Sequence, residues 1–116
     1  ASAEQNKILG ISVLKNNFEI EEQVRSLLPA NNINFDLVHA YHFGGYAKYK
    51  PSLIQFMNEV YRQTAIPSDF VYTGKIFYAI NDLMVSGYFP PGSRLLLIHS
   101  GGLQGNASLN KGTLIF

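Results

Sequence analysis

The sequence contains no cysteine, which excludes disulfide bonds and thiolate metal sites. Charged residues are also scarce, at 15% of 116 residues against the ~25% of an average soluble domain. The nine Lys and Arg residues form no basic run and the formal net charge is +1, so the electrostatic signature of a nucleic-acid-binding protein is missing. We therefore expect no nucleic-acid partner, and a surface that partly faces other protein.

Long apolar runs are missing as well. No segment approaches the roughly 20 consecutive apolar residues of a membrane-spanning helix. The first seven residues (ASAEQNK) lack the apolar core of a signal peptide. The sequence thus predicts a cytoplasmic protein without a membrane partner, and its length fits one domain or part of one.

Three short apolar runs predict β-strands. Residues 7–14 (KILGISVL) form an apolar run rich in β-branched residues, 37–42 are interpreted as a second strand, and 94–98 (RLLLI) gives the clearest strand signal. The chain begins close to the first of these runs and ends on the apolar residues 113–116 (TLIF). Since strands need neighbours for their backbone groups, both ends favour a piece of a larger protein.

Three further segments have apolar residues at helical spacing. The first follows Asn16, which with Glu19 resembles a capping box, and it is expected to end at Pro29. The second begins at Pro51 and the third opens at Thr73. The order strand, helix, strand, helix, helix, strand predicts an α/β fold, with a layered, largely parallel sheet flanked by helices.

Glycine-containing polar segments fall where such a fold binds ligands, beyond the carboxyl ends of parallel strands. They are residues 41–49 (YHFGGYAKY), 71–75 (VYTGK) and 99–102 (HSGG). Glycine lets the backbone approach a flat ligand. The hydroxyl groups of Thr73 and Ser100 are able to hydrogen-bond a ring nitrogen or a carboxylate.

Each of these features also has a purely structural interpretation. Thr73 is a suitable N-cap, residues 100–102 suit a tight turn, and Tyr46 and Tyr72 suit packing positions. The histidines lack the spacing of metal ligands, so no metal is expected, and the nucleophile elbow of a hydrolase is missing. On the residues alone, the chain is an α/β ligand-binding or interaction unit, and a non-catalytic role stays open.

In order and spacing, residues 71–105 (VYTGKIFYAINDLMVSGYFPPGSRLLLIHSGGLQG) resemble the carboxy-terminal signature of a known family. This is the pyridoxal-phosphate (PLP) family of 1-aminocyclopropane-1-carboxylate (ACC) deaminase and D-cysteine desulfhydrase. Residues 43–48 (FGGYAK) are similar to the family's aromatic–glycine active-site segment, and residues 10–15 resemble the strand before it. The resemblance covers nearly the whole chain.

The resemblance implies a tryptophan-synthase-β-like fold with PLP between two domains. Residues 1–116 would then be a single unit, the carboxy-terminal part of the large domain, without the amino-terminal portion that carries the catalytic lysine and the phosphate loop. The chain alone is accordingly expected to be inactive. The implied partners are that portion, a small amino-acid substrate and further copies of the same protein.

The resemblance also assigns roles to individual residues. Tyr72 and Tyr46 are the implied catalytic residues, and the implied cofactor-binding residues are Ser100, Thr73, Gly101 and Gly102. ACC deaminases have Glu in place of Thr73 and tend to have Leu in place of Ser100. A carboxylate beside the pyridine nitrogen favours the protonated ring and a hydroxyl does so far less, and a ring that is not protonated still suits β-elimination. The resemblance therefore implies a desulfhydrase-like lyase rather than a deaminase acting on ACC.

Overall fold

The computed structural model describes residues 6–28 and 34–116. They form an α/β unit in which a two-stranded parallel sheet is flanked by helices. The elements are β1 (Ile8–Ile11), α1 (Ile20–Leu27), β2 (Phe35–Val38), α2 (Pro51–Thr64), α3 (Thr73–Val85) and a 3-10 helix (Leu103–Ser108). Within these ranges, none of the helices has the length and apolar character that crossing a membrane requires.

The sheet confirms that two strands form here, but only the first is a shorter form of its prediction, since the second begins two residues before the predicted 37–42 and ends at Val38. Ile8 pairs with Phe35 and Ile11 with Val38, so the strands run parallel. Parallel neighbours require a crossover connection, and α1 lies in that connection. The carboxyl ends of both strands therefore lie at the same edge of the sheet.

The predicted capping box at the start of α1 does not form. The N-cap is Glu19, which makes no side-chain cap hydrogen bond, and Asn16 has left-handed backbone with φ 59°. Asn16 turns the chain three positions before the N-cap, so its side chain does not serve as the cap. The predicted stop at Pro29 lies outside the described residues.

The hydrophobic core lies between α2 and the segment leading into α3. Pro51 is the first residue of α2, as predicted, and the helix ends at Thr64 before a left-handed Ala65. The core cluster consists of Leu53, Ile54, Met57, Phe70 and Val71.

The carboxy-terminal residues 113–116 pack against this core. Leu114 and Phe116 contact the cluster, and the Phe116 ring lies 4.8 Å from that of Tyr61. Asn58 of α2 donates to the Thr113 carbonyl at 3.2 Å and accepts from the Ile115 amide at 3.0 Å. The apolar tail therefore has a partner within this chain, which removes one of the two reasons for expecting a missing neighbour.

The third predicted strand is wrong for this structure. Residues 94–98 join no sheet in the described part of the chain, where the sheet has two strands. The side chains of Leu96 and Ile98 are 90% and 73% exposed. An apolar run becomes a strand only when another strand lies beside it. The described residues offer this segment no such partner.

Candidate active site

An open cavity of about 400 Å³ lies beyond the carboxyl end of β1, at the amino-terminal end of α3. This is the strand edge at which the sequence predicts a ligand. Its size falls within the ~300–1,000 Å³ of typical small-molecule sites. The cavity is lined by Ile11, Ser12, Val13, Leu14, Ile20, Tyr46, Tyr72, Thr73, Ile76, Ile98 and Ser100.

Four of the six residues singled out from the sequence line this one cavity: Tyr46, Tyr72, Thr73 and Ser100. Gly101 and Gly102 follow in the chain and have left-handed φ values of 88° and 82°. A Cβ on Gly101 would meet no atom within 4 Å, whereas one on Gly102 would lie 3.3 Å from Asp69 Oδ1. Gly101 thus borders open space, and Gly102 lies against the protein.

The two tyrosines form a hydrogen-bonded pair. Their hydroxyl oxygens are 2.6 Å apart, and their rings meet edge to face with centroids 5.8 Å apart. The hydrogen bond with Tyr46 raises the pKa of Tyr72 above the ordinary value of a phenol. Because one hydroxyl donates to the other, the pair keeps one O–H that is free to donate to a ligand.

The hydroxyl of Thr73 is engaged by Asp69. It donates to Asp69 Oδ1 at 2.6 Å and accepts from the Asp69 amide at 2.8 Å. Thr73 is the first residue of α3 and Tyr72 is the N-cap, so the interpretation of Thr73 as the N-cap is wrong. The contact with Asp69 fixes the position of the Thr73 side chain in the cavity wall.

Asp69 organises the turn that leads into α3. Its buried carboxylate accepts from the amides of Val71 at 2.9 Å, Tyr72 at 2.8 Å and Thr73 at 3.0 Å. One side chain therefore satisfies three consecutive amides at the entrance to α3, the last of which is the first amide of the helix itself. Asp69 is not among the site residues predicted from the sequence, although an Asp that precedes a helix start by a few residues is a known turn and cap signal.

His99 fixes the segment that carries Ser100. Its Nε2 contacts the Pro67 carbonyl at 2.8 Å, and its Nδ1 accepts from the Gly101 amide at 3.0 Å. A carbonyl only accepts and an amide only donates, so the ring proton is on Nε2. His99 thereby holds the turn around Ser100 in a defined conformation.

Asn106, in the 3-10 helix, supports the same segment from the other side. It donates to the Ser68 carbonyl at 2.9 Å and accepts from the Phe70 amide at 3.0 Å. Together with His99, it joins the Ser100 segment to the chain just before Tyr72. The segment that carries Ser100 and the segment that leads to Tyr72 are therefore held together by hydrogen bonds from side chains to backbone.

Lys75 is fully buried although it is a lysine. Its Nζ donates to the carbonyls of His42 at 2.8 Å and Gly45 at 3.0 Å. Burial lowers the pKa of Lys75 to about 8. Lys75 is not among the cavity-lining residues, and its amine is turned to the backbone of the loop that carries Tyr46.

Curated relatives of this chain carry one common name. A protein of Pyrococcus abyssi is 31% identical over 106 residues, which cover 84% of this chain and 32% of the relative. A protein of Pyrococcus horikoshii is 38% identical over 68 residues, covering 59% and 20%. Both are provisionally named 1-aminocyclopropane-1-carboxylate deaminase.

A third relative, from Ralstonia pickettii, is named 1-aminocyclopropane-1-carboxylate deaminase and is 42% identical over 55 residues, covering 47% of this chain and 15% of the relative. No family model and no solved structure matches the chain. The chain spans about a third or less of the length of these curated relatives. Over the matched residues, the chain belongs to the ACC deaminase family.

Proposed function

We propose that the chain is the carboxy-terminal part of a PLP-dependent lyase that acts on a small amino acid, in the large domain of a tryptophan-synthase-β-like fold. Its contribution is the wall that faces the cofactor ring and the substrate. The observation that carries the proposal is the meeting of Tyr46, Tyr72 and Ser100 around one cavity of about 400 Å³. The relatives named ACC deaminase support the same enzyme class.

The residues around the cavity fit the ring side of PLP. Ser100 has an exposed side chain whose hydroxyl is suited to bond the pyridine nitrogen, and Gly101 beside it leaves open space. Ile11 and Ile76 provide apolar surface for a flat ring. When bound, PLP supplies the electron sink that lets an amino acid lose its α-proton.

The tyrosine pair is suited to the substrate rather than the cofactor. Its free O–H is a neutral donor at physiological pH, as in any phenol, and the hydrogen bond with Tyr46 raises the pKa of Tyr72 further. A substrate carboxylate accepts charge-assisted hydrogen bonds of this kind strongly. We therefore assign Tyr72 and Tyr46 to orienting the substrate by its carboxylate.

Hydroxyl groups dominate the polar wall, and this favours β-elimination. Tyr46, Tyr72, Thr73 and Ser100 contribute hydroxyl groups, and the described residues that line the cavity include no Asp or Glu. Such a wall does not enforce a protonated pyridine ring. The finer assignment is D-cysteine desulfhydrase-like: the C–S bond breaks, hydrosulfide leaves, and one water converts the remaining carbon skeleton into pyruvate and ammonia.

The covalent anchor for PLP is assigned to the remainder of a longer protein. Among the described residues lining the cavity there is no lysine, and the Lys75 amine is bonded to two carbonyls. The relatives are about three times as long as the matched region or longer, which leaves room for a lysine and a phosphate loop. The 116-residue chain alone is expected to neither bind PLP covalently nor turn over substrate.

The test is an assay of the complete protein that contains this chain, loaded with PLP. We expect release of pyruvate and sulfide from D-cysteine and weak or no release of 2-oxobutyrate from ACC. The double variant Tyr46→Phe/Tyr72→Phe, which removes the free O–H whichever tyrosine carries it, is expected to raise KM for D-cysteine about tenfold, the effect of losing one charge-assisted hydrogen bond of ~1.4 kcal/mol. Tyr88→Phe, an exposed tyrosine outside the cavity lining, is the matched control.

Other outcomes separate the alternatives. Turnover of ACC without D-cysteine would overturn the desulfhydrase assignment and keep the PLP lyase. Turnover of neither, together with binding of a small ligand, would favour a non-catalytic binding unit. A visible PLP–lysine absorbance band in the isolated chain would contradict the proposed position of the anchor.

A further inference from the structure

We propose that Lys75 is a positioning residue that holds Tyr46 at the cavity by tying the 42–48 loop to α3. The inference rests on the proposed function only in the role given to Tyr46. Lys75 itself touches neither the cavity nor the place of a substrate. Its amine binds the backbone carbonyls of His42 and Gly45 in the loop.

The contacts of Lys75 fall on the two carbonyls that organise the loop. The His42 carbonyl also accepts from the Gly45 amide at 3.2 Å, and the Gly45 carbonyl also accepts from the Lys48 amide at 3.1 Å. These are the closing bonds of two successive turns. The Lys75 amine therefore joins both turns to α3 through one buried group.

The loop conformation needs external support. Phe43 and Ala47 have left-handed φ values of 55° and 56°, and the glycines between them have 100° at Gly44 and 131° at Gly45. Left-handed backbone at non-glycine residues is unfavourable and persists only where the surroundings hold it. Tyr46 lies between Gly45 and Ala47, so the direction of its side chain depends on this support.

A second contact anchors the beginning of the loop. The Tyr41 hydroxyl donates to Asp82 Oδ2 of α3 at 2.7 Å, and this bond with burial raises the pKa of Tyr41 to about 12. Tyr41 precedes the turns, whereas Lys75 binds within them. Losing Lys75 should therefore loosen 42–48 without detaching the loop from α3.

The chemistry of a buried amine suits this role. A neutral amine has two N–H donors and Lys75 has two carbonyl acceptors, while the charged form keeps both bonds and is supported by the nearby Asp69 carboxylate. Burial without these acceptors would be strongly unfavourable. The side chain is therefore matched to the loop in both protonation states.

The test uses the complete protein and the variant Lys75→Met, which keeps length and loses every donor. Amide hydrogen exchange is expected to rise at least tenfold in 42–48 and to stay unchanged in α2. Lys48→Met, an exposed lysine of the same loop, is the matched control and is expected to leave both regions unchanged. Unchanged exchange in 42–48 for Lys75→Met would overturn the proposal, whether or not the protein is a lyase.

Activity provides the second readout. Lys75→Met should raise KM for D-cysteine about as much as Tyr46→Phe, and the double variant should add little to either. If Lys75 only stabilised the fold and did not position Tyr46, the increases in KM of the two single variants would multiply in the double variant. If Lys75→Met does not fold, Lys75→Gln is used, with increased exchange in 42–48 again expected and unchanged exchange again contradicting the role. Absence of turnover in the unaltered protein would refute the proposed function and leave the exchange test intact.

Discussion

Asp69 is the residue on which the geometry of the cavity depends most directly. Its carboxylate accepts from three consecutive backbone amides and from the Thr73 hydroxyl, all at 3.0 Å or less. Two of those residues, Tyr72 and Thr73, line the cavity. The chemistry of the site is therefore set by a side chain that does not itself line it.

Replacing Asp69 by Asn tests this dependence. An amide group presents one oxygen and one NH₂, so two of the four donors lose their acceptor and face another donor. Leaving buried donors unsatisfied costs about 1–3 kcal/mol, and we expect the free energy of unfolding to fall by about 2–3 kcal/mol. Urea denaturation measures this change.

Asp36→Asn is the matched control for Asp69→Asn. Asp36 forms an ion pair with Lys7 in which both side chains are about half exposed, at 55% and 46%. Exposed pairs contribute about 0–1 kcal/mol, so this variant should remain within about 1 kcal/mol of the original protein. Equal losses in the two variants would show that the Asp69 network does not organise the turn.

The packing of α2 against α3 depends on the absence of a side chain at Gly74. A Cβ at this position would lie 2.7 Å from the Asp69 carbonyl oxygen and 2.9 Å from the sulfur of Met57. Both distances are shorter than van der Waals contact. The sequence suggests that glycine here admits a flat ligand, whereas the structure uses it for the close approach of two elements.

Gly74→Ala should therefore destabilise the protein although alanine is the better helix former. The propensity gain is about 1 kcal/mol, and overpacking against rigid backbone costs about 1–3 kcal/mol. Because the closest contact is a backbone oxygen, we expect a net loss of about 1–2 kcal/mol in thermal or urea unfolding. Asn81→Ala, on the exposed face of α3, should be neutral or slightly stabilising. A stabilised Gly74→Ala would mean that α2 and α3 are farther apart.

Local patterns predicted the helices well because their cause is local. The apolar spacing after Pro51 and after Thr73 gives α2 and α3 with correct first residues. The capping box at Asn16 failed because two compatible residue types do not determine the backbone between them. The strand at 94–98 failed for a different reason, since pairing depends on a neighbour that its own residues do not specify.

The candidate site divides in the same way. Tyr46, Tyr72 and Ser100 were identified by resemblance and meet at one cavity, while their catalytic and cofactor roles stay predictions. Asp69 and Lys75 were not identified as supports because a charged residue in a sequence is normally expected on the surface. Only the fold shows that both are buried and hydrogen-bonded.

At the scale of the whole molecule, the described residues include an exposed apolar segment at 94–98. Leu96 and Ile98 lie on an extended segment outside the sheet and are among its most exposed apolar side chains. Ile98 also lines the cavity, so this segment connects the surface with the site. An extended apolar segment that joins no sheet within the described residues is a template for pairing with another chain.

We therefore expect the 116-residue chain to self-associate through 94–98. The double variant Leu96→Ser/Ile98→Thr removes apolar area without introducing charge, and it should shift the chain towards monomer in sedimentation velocity over a range of protein concentrations. Leu27→Ser is the matched control because Leu27 is also highly exposed, at 84%, and lies on α1 away from that segment. The Leu27→Ser variant should associate as strongly as the unaltered chain. If the unaltered chain sediments as a monomer at every concentration, the exposed segment does not drive association. If both variants weaken association equally, association depends on exposed apolar area in general. Strand-like pairing through 94–98 would instead be weakened only by the Leu96→Ser/Ile98→Thr variant.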